Sequence, residues 1–341
     1  MSIHLEKNLP WEGSLMGIIY KQLFVKPKPL FPGVSLAGTT ALVTGSNGGI
    51  GFEASRQLLR LGVRHLILAV RSQLRGDTAA AKLREEHPEA RIDVAILDMA
   101  DYDSVIAFVQ FCRSLDYIDY VVLNAGQQNH NFQLCDKTGH EMVFQVNYLS
   151  TALLALSLAT IMKSKRRSRK ASRPPVLSVV GSDTMWLSRF QTTDHIFSYM
   201  DNPAGFKGFR QYMDSKLLIM LFVYRMARQF DPHDDVLINV CNPGAVGGTN
   251  LGSDATLGWF AKTFLRLFTY TVSRSVGAGA SNYIHALVVE GEKSHGSFVS
   301  DWDIKPYPRL LYTKEGQAVI EGLWAETMEE LRCAGIDIQP M

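Results

Sequence analysis

The stretch TALVTGSNGGIG, residues 40–51, joins a short β-branched run to a glycine-rich turn, and a helical pattern, IGFEASRQLLRLG, follows at once. This order predicts a strand, a tight turn and a helix. Glycine lets the chain turn tightly and lets an anion approach the backbone, while free N–H groups at the helix N-terminus supply positive potential. The stretch therefore predicts a pyrophosphate-binding turn, formed by Gly45, Ser46, Asn47, Gly49, Ile50 and Gly51.

Strand-like and helical patterns alternate along the rest of the chain. The predicted strands are residues 40–45, 65–70, 92–98, 120–126, 175–181 and 237–244. The predicted helices are residues 50–62, 76–87, 99–114, about 137–163 and 213–230. The strands are apolar on both faces, as expected when helices cover each side of a sheet. The alternation predicts a single α/β domain with a doubly wound parallel sheet and helices on both faces.

The composition argues against a polyanionic partner. The 341 residues include 35 Lys and Arg against 33 Asp and Glu, so the net field does not attract nucleic acid. The one basic stretch, KSKRRSRKASRPP at 163–175, is interpreted as a solvated connection between a helix and a strand. A nuclear address or polyanion patch is the alternative for this stretch.

The cysteines and the apolar segments bear on the cellular compartment. Cys112, Cys135, Cys241 and Cys333 are far apart without metal-ligand spacing, so no metal site is expected and a reduced compartment is favoured. The N-terminus has no secretory pattern, and the apolar run 148–162 is predicted to be a buried helix because it is too short to cross a bilayer. The sequence therefore predicts a cytoplasmic protein. The apolar extension 1–36 is expected to pack on the body, and membrane contact is an alternative that is not predicted.

Residues after the second and third strands indicate the type of nucleotide. NAD-binding folds usually carry an acid after the second strand, whereas this chain has Arg71, in AVRSQLR. An arginine pairs with a 2′-phosphate and stacks on adenine, so Arg71 favours NADP(H), with Arg75 as a second candidate. Asp98, in LDMAD beside Met99, is a candidate acceptor for the adenine amino group, with a helix cap as the alternative.

Several ordered motifs resemble those of the short-chain dehydrogenase/reductase family. They are TGSNGGIG, Asp98, NAG at 124–126, a serine after the fifth strand, YMDSK at 212–216 and NPG at 242–244. The match covers about residues 37–330, which predicts an extension at 1–36, a Rossmann-fold domain with inserts 183–210 and 250–275, and a tail at 331–341. The extension, Arg71, VNYLS at 146–150 and GSFVSDWDIKPYPRL at 296–310 resemble the retinol-dehydrogenase-like branch and fungal secondary-metabolism reductases.

The resemblance implies a catalytic set of Asn147, Ser182, Tyr212 and Lys216. Tyr212 and Lys216 lie four residues apart, so a helix places them on one face. A nearby ammonium favours the phenolate, so the pKa of Tyr212 is expected to fall from about 10 toward working pH. In the family the lysine also holds the nicotinamide ribose. Ser182 is implied to steady the substrate oxygen, although the family's usual second serine is Gly181 here, which leaves one hydroxyl. Asn147 is implied to bend the long helix and hold a water near Lys216, while a bond to a neighbouring carbonyl is the alternative.

The family pattern also implies which residues surround the nicotinamide. Those residues are Asn124, Ala125 and Gly126 after the fourth strand, and Pro243, Gly244 and Val246 after the sixth. A Pro-Gly pair also ends strands in proteins without a ligand, but the order of motifs favours cofactor binding.

The inserts suggest the substrate class. Aromatic residues concentrate there, namely Trp186, Phe190, Phe197, Tyr199, Phe206, Trp259, Phe260, Phe264 and Phe268. They predict an apolar pocket for a hydrophobic substrate, although ordinary core packing would also explain them.

The sequence as a whole predicts an NADPH-dependent reductase that interconverts a hydrophobic ketone or aldehyde and its alcohol, in secondary-metabolite, polyketide-like biosynthesis. The alternatives are a retinoid or lipid alcohol dehydrogenase at a membrane surface, and a nucleotide-binding scaffold without redox activity, such as a cyclase or isomerase. Residues 148–162 and 212–230 correspond to elements that pair subunits in many family members, so a homodimer is also expected.

Overall fold

The structure is a computed structural model that describes residues 1–168, 173–190, 195–247 and 273–335. Side chains at 167 and 168 are not described. Most of the predicted 250–275 insert lies outside these ranges, including Trp259, Phe260, Phe264 and Phe268. Residues 336–341 of the predicted tail also lie outside them.

One sheet of eight strands organises the described chain. Its strands are β1 (Thr40–Thr44), β2 (His65–Val70), β3 (Arg91–Ile96), β4 (Tyr120–Leu123), β5 (Val176–Val180), β6 (Leu237–Asn242), β7 (Phe298–Ser300) and β8 (Asp303–Lys305). The order is β3-β2-β1-β4-β5-β6-β7-β8, and every neighbouring pair is parallel except β7 with β8. This confirms the predicted doubly wound sheet and all six predicted strands. The strand order reverses between β1 and β4, which places a crevice at the carboxyl ends of these strands.

Helices cover both faces of the sheet. The longer helices are α1 (Leu15–Phe24), α2 (Gly49–Arg60), α3 (Gln73–Glu86), α4 (Tyr102–Ser114), α5 (Ser150–Ser168), α6 (Gly208–Ala227), α7 (Val276–Val288) and α8 (Lys314–Cys333). One core cluster lies among α4, α5, α6 and α8, and the other among α2, α3 and α7. The five predicted helices are confirmed. Helix α6 begins at Gly208, so Tyr212 lies inside the helix, as its spacing from Lys216 predicts.

The apolar run 148–162 belongs to a longer helical segment than its length predicts. A short turn, Met142–Phe144, and a π-helical stretch, Gln145–Leu149, lead directly into α5. Among the described residues one helix, Met142–Arg166, has the length and mean hydropathy, 1.5, to span a bilayer. The prediction that this helix is too short to cross a bilayer was therefore wrong. Its predicted burial is confirmed, because 89% of the apolar window is buried inside the protein, as in a core helix.

Helix α8 packs over α6. Trp324 stacks on Phe222 with ring centroids 5.2 Å apart, and Arg225 Nε lies 2.9 Å from Glu321 Oε1. The hydroxyl of Tyr148, just before α5, lies 2.6 Å from Thr327 Oγ1. Helix α8 therefore covers part of the surface through which the sequence predicts a homodimer, and the homodimer stays a prediction.

We predict that Leu323→Ala lowers the free energy of unfolding by about 2–5 kcal/mol, because Leu323 of α8 is fully buried and its truncation leaves a cavity. Chemical denaturation monitored by circular dichroism would measure the change. The neighbouring Gly322→Ala serves as a control, since a Cβ at Gly322 meets nothing within 4 Å. It should raise stability by up to roughly 1 kcal/mol, the helix-propensity difference. Equal effects from the two changes would contradict the packing of α8.

Candidate functional site

The glycine-rich turn after β1 has the conformation that its sequence predicts. Gly45 and Gly49 have φ values of +65° and +55°, in the left-handed region that favours glycine. A Cβ at Gly51 would lie 2.6 Å from the Gly45 carbonyl oxygen, so only glycine fits there without a shift. The amides at the start of α2 are thereby left near the crevice, where an anion is favoured.

Asn124 braces this turn from the neighbouring strand. Its Nδ2 donates to the carbonyl of Thr44 at 2.9 Å, and its Oδ1 accepts from the hydroxyl of Tyr283 at 3.1 Å. The Ala125 amide donates to Thr44 Oγ1 at 2.8 Å. The structure thus directs the Asn124 side chain toward β1 and α7, where it positions the turn. Its predicted place beside the nicotinamide stays a prediction.

The residues present fit a dinucleotide with an extra phosphate. The Ser46 hydroxyl is fully buried and has no hydrogen-bond partner among the described residues, which leaves a donor for a phosphate oxygen. Asn47 is exposed and Ile50 is half-buried at the same turn. Arg71 and Arg75 follow β2, are exposed, and form no ion pair with a described residue. Two available guanidinium groups at this edge suit a 2′-phosphate.

Asp98 is partly engaged by its own loop. Its Oδ1 accepts from the Ala100 amide at 3.0 Å, and its amide donates to Ser104 Oγ at 2.9 Å. The N-cap of α4 is Asp101 rather than Asp98. Met99 is buried, and its carbonyl accepts from Ser150 Oγ at 2.6 Å. Contact of Asp98 and Met99 with the adenine stays a prediction.

Ser182, Tyr212 and Lys216 meet where β5 ends beside α6. Their exposed fractions are 7%, 8% and 5%, and a hydrogen bond joins the side chains of Ser182 and Tyr212. Lys216 Nζ lies 5.7 Å from the centroid of the Tyr212 ring and donates to the Val180 carbonyl at 2.8 Å. The spacing of YMDSK therefore does place the phenol and the ammonium on one face of the helix.

The predicted effect of Lys216 on Tyr212 was wrong. Burial raises the pKa of Tyr212 to about 12, the bond from Ser182 lowers it, and the charge of Asp183 raises it further. Burial also lowers the pKa of Lys216 to about 8. Taking a phenolate out of water costs more than the bond from Ser182 repays, so the phenol keeps its proton near neutral pH.

A second hydroxyl stands beside Ser182, contrary to expectation. Thr184 Oγ1 donates to Ser182 Oγ at 2.9 Å, and the Thr184 amide lies 3.3 Å from the same oxygen. Because Ser182 Oγ accepts both bonds, its own proton is available to Tyr212 or to a substrate oxygen.

Asn147 lies in the π-helical stretch, which agrees with the predicted irregularity of the long helix. Its Oδ1 accepts from the Gln127 amide at 2.8 Å, and its Nδ2 donates to the Gln127 carbonyl at 2.9 Å. The same Nδ2 lies 3.1 Å from Ser215 Oγ, which donates to the Tyr212 carbonyl. Asn147 thus connects α6 to the loop after β4. A Cβ at Gly126 would lie 3.1 Å from Asn147 Oδ1 and 3.7 Å from Lys216 Nζ, so this glycine keeps the space beside the lysine open.

The loop after β6 begins as predicted, with Pro243 buried and Gly244 at a φ of +78°. Val246 pairs with Arg274 in an isolated parallel bridge. Gln22, from the N-terminal extension, accepts from the Ala245 amide at 3.1 Å and donates to its carbonyl at 2.6 Å. No local sequence pattern indicates this contact, because Gln22 and Ala245 are far apart in the chain.

The described aromatic residues of the 183–210 insert pack mainly on the core. Phe197 lies 5.1 Å from Phe144 between ring centroids, Trp186 lies 5.3 Å from Phe298, and Phe206 lies 5.5 Å from Phe132. Phe190 and Tyr199 pair at 5.0 Å. Core packing therefore accounts for these side chains, and an aromatic pocket wall stays a prediction.

Two acids near the site were not singled out from the sequence. Asp214, inside YMDSK, is buried and accepts from Ser188 Oγ at 2.5 Å and from the Tyr199 hydroxyl at 3.1 Å, which fastens the insert to α6. Asp183 follows Ser182, and its pKa is raised by burial and by Asp301. A carboxyl group next to a predicted catalytic serine is the signal that would have identified Asp183.

Comparison with known proteins agrees with this geometry. A family model described as short chain dehydrogenase matches residues 39–172. The chain is 47% identical to the short chain dehydrogenase virL of Hypocrea virens over 98% of this chain and 97% of the relative. It is 40% identical to the short chain dehydrogenase/reductase mfmJ of Annulohypoxylon moriforme, over 91% and 90%.

Solved structures resemble the fold at lower identity. An RhlG/NADP active-site complex from Pseudomonas aeruginosa has a TM-score of 0.60 and 20% identity, covering 80% of this chain and 97% of that one. A short-chain dehydrogenase from Sphingobium yanoikuyae in complex with NADPH has a TM-score of 0.55 and 18% identity, covering 89% and 98%. These likenesses confirm the predicted Rossmann-like fold.

Proposed function

Since the chain belongs to the short-chain dehydrogenase/reductase family and to its fungal secondary-metabolism pattern, we propose that it interconverts a hydrophobic ketone or aldehyde and its alcohol with NADP(H). The observation that carries the proposal is the buried contact of Ser182, Tyr212 and Lys216 beside the crevice of the sheet. A scaffold without redox activity would not need all three groups together.

The protonation states favour reduction. The bound nicotinamide supplies the hydride. Tyr212, whose pKa is about 12, is protonated near neutral pH and donates its proton to the carbonyl oxygen. Ser182 holds that oxygen through its available proton, and Lys216, still charged below pH 8, stabilises the phenolate that Tyr212 becomes.

The preference for NADP(H) over NAD(H) rests on Arg71 and Arg75, which stand exposed after β2. Two of the solved structures that share the fold are complexes with NADP or NADPH. A cytoplasmic location and a polyketide-like substrate complete the proposal. Because α8 covers part of α6, we expect that two subunits do not dimerise through α6.

We predict that Tyr212→Phe lowers kcat for ketone reduction by roughly 10²–10⁴-fold, because the proton donor is lost. The mutant should bind NADPH as tightly as the wild type. Assays of NADPH oxidation with aromatic and polyketide-like ketones, run beside fluorescence titration of NADPH, would measure both. Wild-type rates in the mutant would contradict the assigned role of Tyr212.

The same site sets the expected pH profile. Lys216 loses its charge as the pH rises through about 8, while Tyr212 keeps its proton up to about 12. The rate of reduction should therefore be level below pH 8 and fall above it. In Lys216→Arg, whose guanidinium stays charged, any remaining activity should lack this alkaline fall. If the fall in rate above pH 8 persists in Lys216→Arg, it is caused by another titrating group.

We predict that Arg71→Ser weakens NADPH binding by about 10- to 100-fold and leaves NADH binding unchanged, because a charge-assisted bond to the 2′-phosphate is lost. Dissociation constants from fluorescence titration of both cofactors would test this. Arg60→Ser is the matched control, since Arg60 is exposed at the end of α2. Equal losses for the two cofactors would remove Arg71 from 2′-phosphate recognition.

A lipid alcohol taken up at a membrane surface is the second candidate substrate. Helix α1 exposes an apolar face in which Leu15, Met16, Tyr20 and Phe24 are 58%, 70%, 50% and 64% exposed. Exposed apolar faces of this kind bind interfaces.

For this candidate we predict that the protein sediments with phosphatidylserine-containing liposomes and that Met16→Asp with Phe24→Asp abolishes sedimentation, because charges oppose insertion of the apolar face. Leu74→Asp is the control, since Leu74 is 77% exposed on α3. Absence of wild-type sedimentation would leave the soluble ketone as the better candidate.

A further inference from the structure

Helix α1 is oriented with its polar residues inward. Lys21 and Gln22 are 4% and 8% exposed, whereas Met16 and Phe24 are 70% and 64% exposed. Amphipathic helices normally bury the apolar stripe, because burying an amide or an ammonium costs free energy unless it is bonded. The inward polar residues must therefore make contacts that offset this cost, and the structure shows which.

Gln22 forms hydrogen bonds with both the backbone amide and the backbone carbonyl of Ala245, in the loop after β6. Its Oε1 accepts from the Ala245 amide at 3.1 Å, and its Nε2 donates to the Ala245 carbonyl at 2.6 Å. The same carbonyl also accepts from the Arg274 amide at 2.8 Å, so a backbone bridge supports the loop on one side and Gln22 on the other. Gly244, at a φ of +78°, would bring a Cβ within 2.8 Å of Gln22 Oε1, so this loop and Gln22 are closely fitted.

Lys21 links the same helix to the segment that follows Ser182. Its Nζ lies 2.6 Å from Glu12 Oε2 and 4.5 Å from the centroid of the Trp186 ring. Its carbonyl accepts from Arg274 Nη2 at 3.0 Å. Because Trp186 lies in the short 3₁₀ turn that Ser182 caps, α1 reaches both the loop after β6 and the serine segment.

We propose that Gln22 is a positioning residue that fixes the loop 243–247 in the geometry that receives the nicotinamide. The inference rests on the proposed function, since it assigns the loop a cofactor. Ala245 is exposed to solvent, and its amide has Gln22 as its acceptor within the described chain. Without Gln22 the loop keeps its backbone bonds to Arg274 but loses the anchor of Ala245, so it samples other conformations, and small displacements of a binding group cost much of its effect.

The test compares Gln22→Leu, which keeps the volume and removes both bonds, with Gln57→Leu. Gln57 Nε2 donates to the Gly277 carbonyl at 3.0 Å, so the control also removes a bond from a glutamine side chain to the backbone. In Gln22→Leu we expect NADPH to bind about tenfold more weakly and kcat/KM for NADPH to fall roughly 10- to 100-fold. Hydrogen exchange at the amides of 244–247, followed by mass spectrometry without cofactor, should be at least about tenfold faster than in the wild type.

Gln22→Glu separates the two bonds. Its carboxylate still accepts from the Ala245 amide but cannot donate to the carbonyl, so its exchange rates and NADPH affinity should lie between those of wild type and Gln22→Leu. Unchanged exchange and affinity in Gln22→Leu, or equal changes in Gln57→Leu, would overturn the positioning role. The proposed function is tested separately, and it fails if the wild-type protein binds NADPH but reduces no carbonyl compound. The positioning role of Gln22 is still testable in that case, because loop exchange and NADPH affinity are measured without turnover.

Discussion

The burial of the Lys216 ammonium is the constraint on which the site depends. The charge is 5% exposed, its bonded acceptor is the Val180 carbonyl, and no described carboxylate pairs with it. Such a charge is costly, which is why its pKa falls to about 8. Lys216 reaches the Val180 carbonyl because β5 ends where α6 can present the lysine to that backbone oxygen.

That constraint explains why the surroundings of the site are rich in buried polar contacts. Asn147 connects α6 to the loop after β4, and Asp214 fastens the 183–210 insert to the same helix. Each bond is modest in free energy, yet together they hold α6 in one position relative to β5. The positions of Tyr212 and Lys216 therefore depend on buried contacts made elsewhere along α6.

The features predicted from sequence are those that local patterns determine. Strands β1–β6 are β-branched runs, and four-residue spacing alone puts Tyr212 and Lys216 on one face of a helix. Strands β7 and β8 span three residues each, too few for a periodic signal. The contact of Gln22 with Ala245 spans 223 positions and that of Tyr283 with Asn124 spans 159, so no local pattern contains them. The pKa of Tyr212 was misjudged because its burial is a property of the whole fold.

The orientation of helix α1 indicates that some of these long-range contacts serve function as well as stability. A helix with Lys21 and Gln22 turned outward and its apolar face turned inward would bury more apolar surface and fewer polar groups. The protein instead keeps the reverse arrangement, with Gln22 bonded to the loop after β6 and Lys21 paired with Glu12. In natural proteins, places where the sequence pattern and the local structure disagree are concentrated at functional sites. Gln22 therefore ties the extension to the loop after β6, the loop to which we assign the nicotinamide as a proposal.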